Sequence, residues 1–155
     1  MRFTLTFLAS VCASAVCAQS EQTIVVTGGV AERNAQDAPY AIGSVDAQAL
    51  RSSGPMVNLS EAMARVPGLV VANRNNYAQD LQISSRGFGA RAGFGVRGVR
   101  LYTDGIPASM PDGQGQVSHF DLAGAQRIEV LRGPFSVLYG HSSGGVIAAV
   151  SAPVK

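Results

Sequence analysis

Residues 127–147 read RIEVLRGPFSVLYGHSSGGVI. Ile128 and Val130 alternate with Arg127 and Glu129, the period-two pattern of a strand with one apolar face. Gly133-Pro134 stops that strand, because proline carries no backbone donor and fixes its φ. Phe135 to Tyr139 is long enough for only one or two helical turns. Gly144-Gly145 then admits a last strand, Val146 to Val150. A strand, a break, a small knot and another strand within 21 residues describe close backbone packing in a small sheet.

Upstream, the pattern is of the same kind. Tyr40 to Val45 (YAIGSV) alternates weakly and reads as a strand. Asn58-Leu59-Ser60-Glu61 has the form of a capping box, with Asn at the N-cap and Glu three residues later. Leu59, Met63 and Val66 follow at helical spacing, and Pro67-Gly68 stops the helix. Leu69 to Ala72 and Leu81 to Ser85 read as strands around a polar, turn-rich excursion from Arg74 to Asp80. Val99 to Thr103 alternates and turns at Asp104-Gly105. Ile106 opens a long loop through Gln116, and Asp121 caps a brief helical turn. The expected fold class is α+β: a small mixed β-sheet with short helices and long Gly-rich loops. Thirteen of the 18 glycines lie between Gly87 and Gly145, so the region makes many turns. No run of alternating ten-residue segments reads as a barrel.

The first 18 residues read as a signal peptide. Arg2 supplies the positive end, Phe3 to Val16 is apolar, and Val16-Cys17-Ala18 suits cleavage before Gln19. Residues 19–38 then form a leader and linker, and 39–155 one domain. Both cysteines, Cys12 and Cys17, fall in the predicted signal, so the exported chain uses no disulfide. Without Arg2 its formal charge is 11 − 10 = +1, which is no footprint for nucleic acid.

Several motifs have competing readings. Gly87 to Ala92 fits G-x-G-x-x-A, with Asp104 17 residues after Gly87. A dinucleotide site needs that motif to open a helix, and Gly93, Gly95 and Gly98 argue against one. His119 and His141 are single histidines in polar loops, with no nucleophilic elbow and no ligand-spaced partner. Thr23-Ile24-Val25-Val26-Thr27 is a β-branched pentamer: either an ordinary edge strand, or a peptide that adds itself to another protein's sheet. Arg86, Arg97 and Arg132 each precede a glycine. They are either surface charge at turns or guanidinium groups seeking a bidentate carboxylate.

These residues together resemble the plug domain of a TonB-dependent outer-membrane receptor, over essentially the whole chain after the signal. Thr23 to Thr27 is similar to the TonB box. Leu59 to Gly68 (LSEAMARVPG) resembles the family's helix ending in Pro-Gly. Arg86-Gly87, Tyr102 to Pro107 (YTDGIP) and Arg127 to Gly145 resemble successive plug motifs. Phe94 to Gln116 resembles a subgroup related to ferric citrate and pyrroloquinoline quinone receptors.

The resemblance implies a plug closing a 22-stranded barrel, with no cofactor and no enzymatic activity. The partners it implies are the TonB C-terminal domain, bound through Thr23, Ile24, Val25, Val26 and Thr27, and an iron chelate or similar scarce nutrient. Arg86 and Arg132 are implied to pair with barrel glutamates. Arg74, Asn76, Tyr77, Gln79, Asp112, Gln114 and Gln116 are implied to face the ligand. Ala148 departs from the resemblance, which implies Asn there. Lys155 stands where the barrel is implied to begin. The expectations are therefore a receptor plug cut off from its barrel, exported and at the outer membrane if combined with one, or a free-standing periplasmic module that binds ligand or TonB. A small exported enzyme is the remaining alternative, lacking a nucleophile–base pair. The region from Gly87 to Gly98 is expected to be the most mobile part of an isolated domain.

Overall fold

The computed structural model describes residues 25–26, 33–34, 37–38, 40–76, 80–93, 95–133, 136–140 and 142–153. In chain order the elements are β1 (Val25–Val26), β2 (Arg33–Asn34), β3 (Ala41–Asp46), α1 (Ala47–Ser53), α2 (Leu59–Met63), β4 (Leu69–Ala72) and β5 (Gln82–Ser85). There follow β6 (Val96–Arg97), β7 (Arg100–Thr103), β8 (Ile106–Pro107), β9 (Gln114–Gly115), β10 (Ala125–Arg132), α3 (Ser136–Tyr139) and β11 (Val146–Ser151). The expected α+β class is the one observed.

The main sheet has the order β3-β10-β11-β7-β8, and three two-stranded pairs, β1-β2, β4-β5 and β6-β9, stand outside it. β10 runs antiparallel to both β3 and β11, whereas β11 and β7 are parallel. One core cluster joins Leu50 of α1, Leu59 and Met63 of α2, Val45, Ile128, Val130, Leu101 and Ile147 of the sheet, and Ile83 of β5. By strand parity Leu131 and Val146 lie on the opposite face, where they form a second cluster with Tyr40, Tyr102 and Tyr139. Tyr139, at the end of α3, meets Tyr102 edge-on at 5.1 Å.

That second cluster corrects one expectation. A half-buried β10 would present both Arg127 and Glu129 to solvent, yet Glu129 is fully buried. The knot around α3 covers the face on which it lies. Its carboxylate accepts from Arg127 Nε at 2.7 Å, because residues two apart on a strand share a face.

The helices show where local chemistry was readable. Glu61 makes its half of the expected box: Oε1 accepts from Asn58 N at 3.3 Å and Oε2 from Met56 N at 2.9 Å. α1 was not expected. Its N-cap is Asp46, whose Oδ1 accepts from Ala49 N at 2.7 Å. Two expected loop features also differ. Ile106 enters β8 and pairs with Thr103. Asp121 Oδ1 accepts from Gly124 N at 3.1 Å, closing a turn that leads straight into β10 rather than a helix.

Asp104-Gly105 turns β7 into β8 with φ of 50° and 80°, the pattern of a type I′ hairpin. The turn is also clasped to the end of β11. Ser151 donates to Asp104 twice, from N to Oδ1 and from Oγ to Oδ2, each at 2.7 Å. These bonds hold the Asp104 carboxyl below its ordinary value, the backbone donor contributing most. At the head of β11, Gly145 has φ of 115°, and a Cβ there would collide with the Leu131 carbonyl oxygen.

Two outcomes follow. Gly145→Ala is expected to destabilise the domain by at least ~1 kcal/mol in urea unfolding, because an L side chain strains that φ and finds no room, while the exposed Ser143→Ala stays near neutral. Asp104 titrates lower in the folded than in the unfolded chain. Its contribution is therefore complete above the unfolded value of about 4 and is lost as pH falls through the folded one. Asp104→Asn should flatten the stability profile in that acid range and leave its slope near pH 7 unchanged.

Candidate functional site

Two arginines from different sheets meet at the junction of α2 and β4. Arg86 directly follows β5 in the left-handed conformation, with φ of 50°, an uncommon state for a side-chain-bearing residue. Its N donates to Gly68 O at 3.1 Å, closing the ladder one step beyond Leu69–Ser85. Arg132 ends β10 opposite Ala41 and donates through Nη1 to Pro67 O. The Arg132 guanidinium and the Arg86 stem both approach Gly68. A Cβ built there would lie 3.7 Å from Arg132 Nη1 and 3.9 Å from Arg86 Cγ.

Among the described residues no carboxylate lies within ion-pair reach of either arginine. Arg132 Nε is buried without a hydrogen-bond partner among them. A guanidinium offers five donors in a planar fork, and one carbonyl satisfies little of it. The pair is thus open to a carboxylate from elsewhere. Arg97, the third arginine before a glycine, behaves differently. It is exposed and lies 3.7 Å from Asp112, an ordinary surface pair.

The second candidate region is a loop surface. Arg74, at the head of the polar excursion, donates from Nη2 to Gly93 O at 3.0 Å. Gln82 Nε2 donates to Ala90 O at 2.7 Å. β6 pairs with β9, placing Arg97 opposite Gln114, and Gln114 N donates to Asp112 Oδ1 at 3.0 Å. Of the expected ligand-facing residues, Arg74, Asp112 and Gln114 are thus brought to the glycine loop, while Asn76 and Gln116 are exposed nearby in sequence. Asp112 and Gln116 are exposed there and Gln114 half-buried. Tyr77 and Gln79 lie outside the described residues.

Reading Gly87 to Gly98 mainly as a cofactor decoy missed its place in this surface. Its described residues form turns and the short strand β6, and no helix, so they do not build the helix N-terminus that a pyrophosphate needs. Instead Gly87, Phe88, Arg91, Arg97 and Gly98 border an open concavity of about 560 Å³. The signal that could have found it is Arg91 and Arg97 recurring among glycines, a basic rim on a loop with little side-chain bulk.

On the far face of the main sheet, Ala148 lies in register between Glu129 and Tyr102. It lines a cavity of about 380 Å³ with Tyr102, Tyr139 and Val146. Burial, followed by the neighbouring tyrosines and Glu129, raises the Tyr139 phenol above its ordinary value. Among the described residues no group of three His, Cys, Asp or Glu side chains is placed to hold a metal. His119 stacks edge-on against Phe120 at 5.1 Å, and His141 lies outside the described residues. No described helix is long and apolar enough to cross a membrane.

At the N-terminal side, Val25 and Val26 form β1, paired with Asn34 and Arg33 of β2. Thr23, Ile24 and Thr27 lie outside the described residues.

The family model described as TonB-dependent Receptor Plug Domain matches residues 34–146. The chain belongs to this family. The plug is 33% identical over 132 residues to a hemin receptor of Yersinia pestis, covering 83% of this chain and 18% of that receptor. It is 35% identical over 136 residues to a pesticin receptor of the same organism, covering 86% and 19%. Among solved structures it is similar to the siderophore receptor PirA from Pseudomonas aeruginosa, with a TM-score of 0.51 and 27% identity over 76% of this chain and 19% of that one. The plug thus spans about a fifth of the length of the receptors it matches.

Proposed function

We propose that this plug gates an outer-membrane receptor that takes up an iron chelate or a similar scarce nutrient, and that it is held in the barrel by Arg86 and Arg132. The observation that carries this reading is the approach of both arginines to Gly68 with no acid in ion-pair reach among the described residues. Carboxylates on a barrel wall complete the pair, and they do so in a water-poor gap where a bidentate contact is strong. The 22-stranded barrel is the partner this assigns, and the outer membrane the place.

The ligand meets the surface of Arg74, Asn76, Tyr77, Gln79, Asp112, Gln114 and Gln116. Similarity to hemin and siderophore receptors supports an iron-chelate class. Within it, the resemblance of Phe94 to Gln116 points to the ferric citrate and pyrroloquinoline quinone subgroup. Residues 1–18 serve as the export signal, 19–38 as the docking segment and linker, and 39–155 as the plug body. Thr23 to Thr27 docks the TonB C-terminal domain by strand addition, where backbone bonds supply affinity and β-branching favours the extended state.

Two measurements test these roles. In a chimera carrying this plug in place of the matching segment of the Y. pestis hemin receptor, Arg86→Ala/Arg132→Ala should expose the plug to protease in outer-membrane fractions. The expected loss is about 2 kcal/mol or more of plug–barrel attachment, and unchanged protection would remove the arginine lock. In titration with a TonB C-terminal domain, Val25→Pro should weaken binding by roughly tenfold, the effect of about one lost ladder bond. Unchanged affinity would rule out strand addition.

A further inference from the structure

Arg132 has a counterpart that the Arg-Gly pattern does not mark. Arg100 opens β7 opposite Val146. By strand parity its side chain lies on the far face with Tyr102, away from Leu101 and the helix-side core. It is half-buried. Its Nε is buried without a hydrogen-bond partner, and no carboxylate lies in ion-pair reach among the described residues. Nη1 donates to Met110 O at 3.5 Å, beyond the usual range for such a bond. Nη2 lies 3.5 Å from where a Cβ on Gly140 would stand. Met110 and Gly140 are both exposed, so the guanidinium ends between two surface residues.

A second unused donor lies in the neighbouring loop. Ser142 is fully buried, and its hydroxyl has no partner among the described residues. Gly140 O accepts from Ser142 N at 2.7 Å, Ser142 O from Gly145 N at 2.9 Å, and Gly145 O from Arg100 N at 3.0 Å. The loop is thus folded onto the strand start that carries Arg100. Buried donors without acceptors are costly, and two of them on one loop and its bonded strand call for an acceptor. One guanidinium balances one negative charge, and its planar fork matches a planar pair of oxygens. That chemistry is a carboxylate.

The loop that Arg100 holds indicates the source. Met110 N donates to Gln114 O at 2.7 Å, and Leu101 N to Ser109 Oγ at 2.9 Å. Arg100 therefore stands at the root of the loop bearing Asp112, Gln114 and Gln116. Resting on the reading of those residues as ligand-facing, we propose that Arg100, with Ser142 as second donor, is a carboxylate site, and that the ligand of this plug is a chelate with a free carboxylate that reaches it. A charge-assisted bidentate contact displaces the long bond to Met110. Occupancy then releases the root of the loop, so that binding at Arg100 is passed on to Gln114.

Glutarate is the probe, titrated into the isotope-labelled full chain and followed by NMR. The Nε–Hε signal of Arg100, assigned through its bonds to the Arg100 backbone, should shift together with the amides of Met110 and Gln114. Glutaramide, the neutral isostere, should leave all three in place. Arg100→Gln should weaken glutarate binding at least about tenfold, and Ser142→Ala about threefold. Arg51→Gln, an exposed charge at the end of α1, should change it less than about twofold.

The principal signals are read on the unsubstituted chain, so the outcome does not depend on a variant folding. An Arg100 signal that glutarate does not move overturns the site; if the amides of Arg74 and Gln114 move without it, the ligand-facing surface stands and Arg100 is no part of it. An equal shift with glutaramide, or a larger one with inorganic phosphate, overturns the carboxylate class. A shift at Arg100 with Met110 and Gln114 unmoved separates the site from the loop and overturns its link to the ligand.

Discussion

The plug depends on β10 being buried on both edges and both faces. It pairs with β3 on one side and β11 on the other. The helix-side core covers Ile128 and Val130, and the tyrosine cluster covers Leu131. A carboxylate in such a strand is costly unless it is paired and hydrogen-bonded. Arg127, with about a fifth of its side chain exposed, pairs with the fully buried Glu129 and keeps part of its own hydration. The cross-strand neighbours of Glu129, Ser44 and Ala148, are both small. The far-face cavity beside Ala148 and the knot that carries Tyr139 are arranged around this one pair.

Arg132, on the same strand, shows the contrast. It lies at the end of the ladder, where Gly133 takes the chain out of the sheet. Its reach goes to Pro67 and toward Arg86, not to an acid. One arginine of the strand is satisfied internally and holds the fold together. The other is half-buried, with an Nε that has no hydrogen-bond partner among the described residues. A buried guanidinium donor without a partner among the described residues is a local cost that the fold of this segment carries. The left-handed backbone at Arg86 adds to it. Such a cost is offset when a carboxylate arrives, which is why this junction, and not the exposed Arg97–Asp112 pair, marks the surface that meets another wall.

How much of this was legible follows from the range of the interactions involved. Signals within four residues were readable. The Glu61 half of the capping box, the Asp104-Gly105 turn and the glycines before β11 all appear where their local chemistry places them. α1 was overlooked although its signal is also local: Asp46 at the N-cap precedes Ala47, Ala49 and Leu50, good helix formers masked by the strand pattern just before them. What a single strand cannot show is what covers its second face. Glu129 reads as exposed by alternation, and only the fold-back of α3 and its tyrosines buries it. Arg86 and Arg132 share a local Arg-Gly pattern, but their approach to Gly68 joins residues 46 positions apart, one just after β5 and one ending β10. The stitching of Arg74 to Gly93, and of β6 to β9, is long-range in the same sense.

The register connects the N-terminal segment to the arginine junction. β3 is an edge strand, and its first residue, Ala41, is the cross-strand partner of Arg132. Residues that precede β3 in the chain therefore enter the main sheet at the ladder end where Arg132 lies, not at the opposite end near Asp46 and Arg127. An edge strand opened from its first residue loses its pairs one at a time, starting there, while the Arg127–Glu129 pair near the other end is the last to be disturbed. The two arginines of β10 thus differ in mechanical position as they do in partner. Arg127 sits at the far end of the β3–β10 ladder with an internal acid. Arg132 sits where displacement of the N-terminal segment is felt first.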